Sequence, residues 1–202
     1  MAEIAHRHGV PVIVDAAAEL PPAGNLRRFV DEGADLAVFS GGKGLRGPQT
    51  TGLVLGRRDL VAACAAHANP NHAIGRPMKV GKEEMVGLLV AVELYLQESD
   101  AERIARWDEH VATVIRLLRD VRGLSVERLF PMPTGKTVPR ALVGVGPDCP
   151  LTAPQLIARL KEGQPRIEVR PDPAGFIIDP QNLQPGETEI ICARIRALVA
   201  SA

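Results

Sequence analysis

Up to about residue 96, short unbroken apolar runs alternate with amphipathic stretches. Val12-Ile13-Val14 ends on Asp15, Leu36 to Phe39 ends on Ser40, and Leu53-Val54-Leu55 lies between Gly52 and Gly56. Runs this short and this uniformly apolar predict strands buried on both faces, side by side in one mostly parallel or mixed sheet. Residues 25–32 predict a short amphipathic helix ending at Gly33, and residues 59–67 a second helix. Lys82–Gln97 carries Met85, Leu88, Leu89, Val92 and Leu96 at helical spacing, and a further helix over 101–121 follows a break at Ser99-Asp100. The first nine residues read as the last turns of a helix, stopped by His8-Gly9-Val10-Pro11 and feeding a strand directly. A helix in that place predicts an earlier strand, and so a further N-terminal segment.

After Gly123 the pattern changes. Residues 124–130 and 139–145 predict strands. A helix over 152–161 has Thr152 as N-cap and Pro154 in its first turn. Short strands are expected at 167–169 and 175–178, with a closing helix over 187–200. The order is that of an α+β unit, so two domains are expected. One is an α/β part with a linking helix over 1–99, and the other a small α+β domain over 100–202.

Charge adds one exclusion. Lys plus Arg and Asp plus Glu are equal, at 24 each. Nucleic-acid binding draws on a surplus of cations, so it is not expected. Cys64, Cys149 and Cys192 lie far apart with no C-x-x-C pair, which argues against a disulfide framework and fits a reducing cytoplasm. No apolar run is long enough to span a membrane, and the N-terminus has no signal-peptide pattern. Cys64, His67 and His72 fit no standard zinc spacing, so no metal site is expected. His6 and His8 read as surface residues, Trp107 as packing, and Arg194 and Arg196 as the solvated face of the last helix.

The chemistry gathers at strand ends, where α/β sheets place ligands. Asp15 closes one strand. Ser40 closes the next, and Gly41-Gly42-Lys43-Gly44 follows, leading to Gly47-Pro48-Gln49-Thr50-Thr51. Taken singly, Asp15 reads as a cap or turn residue and Lys43 as a solvated cation. A phosphate loop of the G-x-x-x-x-G-K-[ST] type is not matched, because Gly44 follows Lys43. Taken together, the residues meet the needs of pyridoxal phosphate. These are a lysine for the Schiff base, a carboxylate to keep the pyridine nitrogen protonated, and hydroxyls and backbone N–H groups for the phosphate. Asp15 would be the carboxylate and Lys43 the amine, with Ser40 a hydroxyl for the phosphate or for positioning the lysine. Glycines beside Lys43 let the backbone pass close to the cofactor. The polar connection over 68–80 is long for a simple link, and such loops are often functional.

VIVDAAAELPP, GADLAVFSGGKGLRGPQTTGLVLGRRDL and ANPNHAIGRPMKVGKEEMVGLLVAVELYL together resemble the bacterial selenocysteine synthase (L-seryl-tRNA(Sec) selenium transferase) superfamily, most of all the branch with D-glucosaminate-6-phosphate ammonia-lyase. The resemblance covers about residues 1–96, and the remainder matches in layout only. It implies a pyridoxal-phosphate enzyme of the aspartate-aminotransferase fold (fold type I), with a partial large domain and a small α+β C-terminal domain. Lys43 would hold the cofactor and Asp15 would pair with its pyridine nitrogen. Gln49, Thr50 and Thr51 would lie where a partner subunit's cofactor phosphate is reached in a homodimer. Arg76 and Lys79 would grip an anionic, amino-bearing small substrate, or else form a solvated loop or interface ion pairs.

The implied reaction is elimination, deamination or β-replacement, with Lys43 as base at the α-carbon. Selenium transfer to seryl-tRNA is the alternative within the same chemistry. An inactive fragment, or a subunit that needs a partner chain, is the alternative of another class. Selenocysteine synthases proper carry an acid where this chain has Gly42 and tend to lack Arg46, which points to the ammonia-lyase-like branch. Their N-terminal phosphate-cradling loop and the residue that stacks on the cofactor ring have no counterpart in this sequence.

Overall fold

A three-residue parallel strand gains little from its own ladder and must be held by packing. In the computed structural model, which describes residues 1–131 and 136–202, that packing is found in two separate units, Met1–Asp100 and Ala101–Ala202.

In the first unit, β1 (Ile13–Asp15), β2 (Leu36–Ser40) and β3 (Gly52–Gly56) form a sheet in that order. β1 runs parallel to β2 with Asp15 opposite Val38. β2 runs antiparallel to β3 with Ser40 opposite Gly52. The parallel pair needs a crossover, and α2 (Asn25–Asp31) lies within it. The antiparallel pair is closed by the loop 41–51.

Side chains alternate across the sheet. Val14, Ala37, Phe39, Leu53 and Leu55 share one face and pack with Ala16, Leu20, Leu26, Leu45 and Tyr95. The opposite face is only partly covered: Leu36 is buried there, while Ile13 is 63% exposed and Val54 38%. The expectation of strands buried on both faces therefore fails for β1. Its apolar run is covered on the Val14 side, while Ile13 stays exposed.

Asp35 fixes the start of β2. It is buried, and its carboxylate accepts from the Val12 N–H at 2.7 Å, the Arg57 guanidinium at 2.7 Å and the His6 ring at 2.8 Å. These bonds, the Val12 N–H first, then Arg57 and His6, hold the carboxyl well below the usual carboxylate range. His6 lies on α1 (Ala2–Arg7), and Arg57 immediately precedes α3 (Arg58–His67). His6 is therefore part of a clip that joins three segments, not only a surface residue.

α4 (Lys82–Gln97) lays Leu88, Ala91, Val92 and Tyr95 on the core. Val86, Leu89, Val90 and Leu94 form an opposite stripe that is 47–65% exposed. Of the five apolar residues whose spacing predicted this helix, only Leu88 and Val92 pack on that core. The helix is apolar on both faces, so periodicity cannot choose the inner one.

The second unit is an antiparallel sheet in the order β4 (Leu124–Leu129), β5 (Arg140–Val145), β7 (Gly175–Ile178), β6 (Arg170–Asp172). α5 (Asp100–Leu118), α6 (Ala153–Lys161) and α7 (Glu187–Ala200) accompany it. Val111, Val114, Leu118, Val143, Leu156, Leu160, Phe176 and Ile195 are its centre. The strand expected at 167–169 forms three residues later, at β6. Ile167 is apolar for a different reason: it is buried in this core, and its N–H donates to the Leu160 carbonyl at the end of α6. Trp107 is buried. Arg196 donates to the Leu117 carbonyl at 2.7 Å, and the Arg194 Nε is buried, so the last helix is less solvated on that side than its charges suggest.

Candidate active site

β1 and β2 are parallel and in register, so Asp15 and Val38 share a face. Ser40, two residues beyond Val38, shares it too. This is the less covered face of the sheet, and Asp15 and Ser40 are the last residues of their strands. Asp15 is exposed. Its Oδ1 accepts the Ala17 N–H at 3.0 Å, which orients the carboxylate. Its Oδ2 has no partner among the described residues and can accept a proton-bearing group.

The loop after Ser40 is built tightly. The Gly41 N–H donates to the Thr51 carbonyl at 2.9 Å, the Gly47 N–H to the Gly41 carbonyl at 2.8 Å, and the Arg46 N–H to the Lys43 carbonyl at 3.0 Å. A Cβ on Gly41 would lie 1.9 Å from the Thr51 Oγ1, and one on Gly44 would lie 2.7 Å from both the Cβ and the carbonyl oxygen of Leu20. These positions are glycine because the chain has no room beside them. Leu45 pegs the loop into the core, while Lys43 and Arg46 on either side of it are exposed. α4 backs the loop through small residues. Gly87 faces Pro48 and Ala91 faces Gly47, at distances where an added methyl would collide or crowd.

The hydroxyls after Lys43 are engaged within the unit. Thr51 is buried, and its Oγ1 donates to the Pro48 carbonyl at 2.6 Å. The Thr50 Oγ1 donates to Glu84, and the Gln49 amide donates to the Gly42 carbonyl at 3.1 Å. A hydroxyl has one proton to donate, so Thr50 and Thr51 would have to release these partners before donating to a phosphate. Glu84 also accepts the Gly81 N–H at the start of α4, at 2.8 Å. The Thr50 hydroxyl first, and the Gly81 N–H second, lower its pKa below the usual range. Sequence reading missed Glu84, although Gly81-x-x-Glu84 has the spacing of a helix-start motif.

Arg76 and Lys79 belong to a different connection, at a 3-10 turn over Arg76–Met78 and just after it. Arg76 donates to the Pro70 carbonyl within its own connection, and Lys79 is exposed. Among the described residues, no hydrogen bond or ion pair joins either to the Lys43 loop. The structure thus places Asp15 and Ser40 on one face and strings Lys43, Gln49, Thr50 and Thr51 on one loop, with Arg76 and Lys79 on another.

The profile of the L-seryl-tRNA selenium transferase family matches residues 1–122. The chain belongs to that family. Within it, the chain is 40% identical over 200 residues to a 5'-C-glycyluridine monooxygenase-decarboxylase of a Streptomyces species, covering 97% of this chain and 48% of the relative. It is 33% identical over 204 residues to a D-glucosaminate-6-phosphate ammonia lyase of Salmonella typhimurium, covering 99% and 52%. An L-seryl-tRNA(Sec) selenium transferase of Moorella thermoacetica is 28% identical over 231 residues, covering 98% and 46%. The chain spans about half the length of these relatives.

The solved structure of a D-glucosaminate-6-phosphate ammonia-lyase superimposes with a TM-score of 0.81 at 32% identity, over 100% of this chain and 52% of that one. A ureidoglycine-glyoxylate aminotransferase of Bacillus subtilis, at 16% identity and a TM-score of 0.58 over 99% and 55%, shares the fold. The family is one of pyridoxal-phosphate enzymes of fold type I, and pyridoxal phosphate is its cofactor. The donor set found here fits that group. It has a strand-end carboxylate with one oxygen unengaged, an exposed primary amine in a glycine loop, and a hydroxyl on the same sheet face as the carboxylate.

Proposed function

We propose that this chain carries the lysine and the carboxylate of a pyridoxal-phosphate enzyme acting at the α-carbon of an amino-bearing small molecule. The observation that carries this reading is Asp15 and Ser40 on one sheet face, with the Lys43 loop following directly on Ser40. When bound, the cofactor supplies an electron sink for breaking a bond at that carbon.

Asp15 would hold a proton on the pyridine nitrogen through its Oδ2, while the Ala17 N–H keeps the carboxylate aimed. Lys43 would bind the cofactor covalently through its Nζ. Displaced by the substrate amine, it would take the proton from the α-carbon. Ser40 and the 49–51 turn would serve the phosphate, the turn doing so for a partner subunit once Thr50 and Thr51 exchange their present acceptors. Arg76 and Lys79 would approach an anionic substrate from the 68–81 connection.

Ammonia elimination is favoured over selenium transfer, because the ammonia-lyase relative is more similar than the selenium transferase and Gly42 replaces the acid of selenocysteine synthases. A second reading comes from the relative at 40% identity, which is named for an oxidative decarboxylation. In that reading the same α-carbon loses a carboxylate instead of a proton.

The test uses the full-length polypeptide as encoded. Loaded with pyridoxal phosphate, it should absorb in the visible region, and borohydride followed by peptide mapping should fix the cofactor on Lys43. Lys43→Ala should remove both signals and turnover. Labelling of any other lysine would sink the assignment.

A further inference from the structure

We propose that Arg46 is a substrate-binding residue that grips an oxyanion, phosphate or carboxylate, carried by the substrate. This rests on Lys43 being the cofactor lysine.

Arg46 has a φ of 58°, the only positive φ outside glycine among the described residues. That conformation suits glycine and disfavours residues with a Cβ. The surrounding loop uses glycine freely, at positions 41, 42, 44 and 47, wherever space is short. A long cation stands at the one residue whose backbone calls for glycine.

Nothing in the packing explains it. Arg46 is exposed, and among the described residues its guanidinium has no carboxylate, carbonyl or ring partner. Arg57 is held by Asp35 and Asp59 and Arg28 by Glu32, whereas Arg7, Arg27 and Arg58 are, like Arg46, without a side-chain partner among the described residues; what sets Arg46 apart from them is its backbone. The carboxylate tied to the same loop, Glu84, is taken by Thr50 and Gly81. A strained backbone bearing an unengaged guanidinium fits a ligand-binding role better than a stabilising one.

The geometry also places it. The Arg46 N–H is bonded to the Lys43 carbonyl, the turn is closed by Gly47 on Gly41, and Leu45 between them is fixed in the core. Arg46 is therefore anchored to the turn that presents the Lys43 amine. If Lys43 holds the cofactor, the substrate's amine would be met at this turn, so a cation anchored to the turn would be at hand for the substrate, while Asp15 on the neighbouring strand would hold the cofactor's pyridine nitrogen. A planar guanidinium offers paired donors that match the two oxygens of a phosphate or carboxylate.

The backbone conformation provides a clean test. Arg46→Gly removes the side chain and suits the φ, so the melting temperature should hold or rise. Inorganic phosphate, titrated calorimetrically into the full-length protein with and without pyridoxal phosphate, should bind the glycine variant about tenfold or more weakly, the loss expected for one charge-assisted contact. Arg46→Lys should recover part of that binding. Pyridoxal phosphate affinity, read from visible absorbance, should stay within about twofold of the parent protein. Equal phosphate affinity in parent and glycine variant would overturn the proposal. A loss confined to pyridoxal phosphate affinity would assign Arg46 to the cofactor's own phosphate and also overturn it. Failure of the Lys43 reading appears elsewhere, as borohydride labelling at another residue, and leaves the phosphate comparison interpretable by itself.

Discussion

Asp15 owes its proposed role to a difference between its two oxygens. Oδ1 is fixed by the Ala17 N–H, and Oδ2 is left to meet a partner. Asp15→Asn keeps the shape and loses the charge, so the variant should still take up pyridoxal phosphate while kcat falls roughly 10- to 100-fold, the worth of one charge-assisted hydrogen bond. Retained kcat with normal cofactor uptake would remove Asp15 from the chemistry. Asp15 and Ser40 could be singled out from sequence because each ends an apolar run, and that they share a face follows once the register is known. The long-range pairings of Glu84 and Asp35 could not be read from sequence. Their partners lie 34 and 29 residues away, at Thr50 and His6, and no local pattern announces a pairing across such a distance. His6 illustrates the cost of reading charge alone, since a surface histidine and a histidine clipped to a buried carboxylate have the same sequence signature.

At the level of elements, the strands were the most legible feature, because a short apolar run bracketed by glycine or acid has few other readings. The inner face of α4 was the least legible, because that helix is apolar all round. Two tests belong at this level. Gly44→Ala would push a methyl against Leu20, with Cβ 2.7 Å from both the Leu20 Cβ and its carbonyl. It should cost about 1–3 kcal/mol, read as a lower denaturation midpoint, and should weaken cofactor uptake because the Lys43 turn must shift. Asp35→Asn should lower the melting temperature at neutral pH by loosening α1 and the approach to α3. The folded pKa of Asp35 lies below its unfolded value. Its stabilisation is therefore complete above the ordinary carboxylate range, about pH 4, and is lost as pH falls through the lower folded value. A melting-temperature profile from neutral to acid should show the parent falling towards the asparagine variant in that acid window. Parallel profiles would show that Asp35 is not the linked group.

At the level of the whole chain, the residues proposed for the chemistry lie within Met1–Asp100, while Ala101–Ala202 contributes a closed antiparallel core. The first unit leaves Val86, Leu89, Val90 and Leu94 exposed on one stripe of α4, with Ile74 and Met78 exposed in the preceding connection. A patch of this kind favours association. Sedimentation of the full-length protein should show a dimer or larger species, and Leu89→Glu should shift it towards monomer; a parent that sediments as a monomer would refute this. β2 carries a further implication. Its first contact is the Asp35 clip, its last residue is Ser40, and the lysine turn begins one residue later. Because side chains alternate along a strand, adding or deleting a single residue between Asp35 and Ser40 would turn Ser40 to the buried side and misalign everything beyond it. That stretch acts as a ruler with the clip at its zero mark. Natural versions of this chain should vary in length within the connection around residues 68–80, where backbone is exposed, and keep a fixed count from the clip to the lysine.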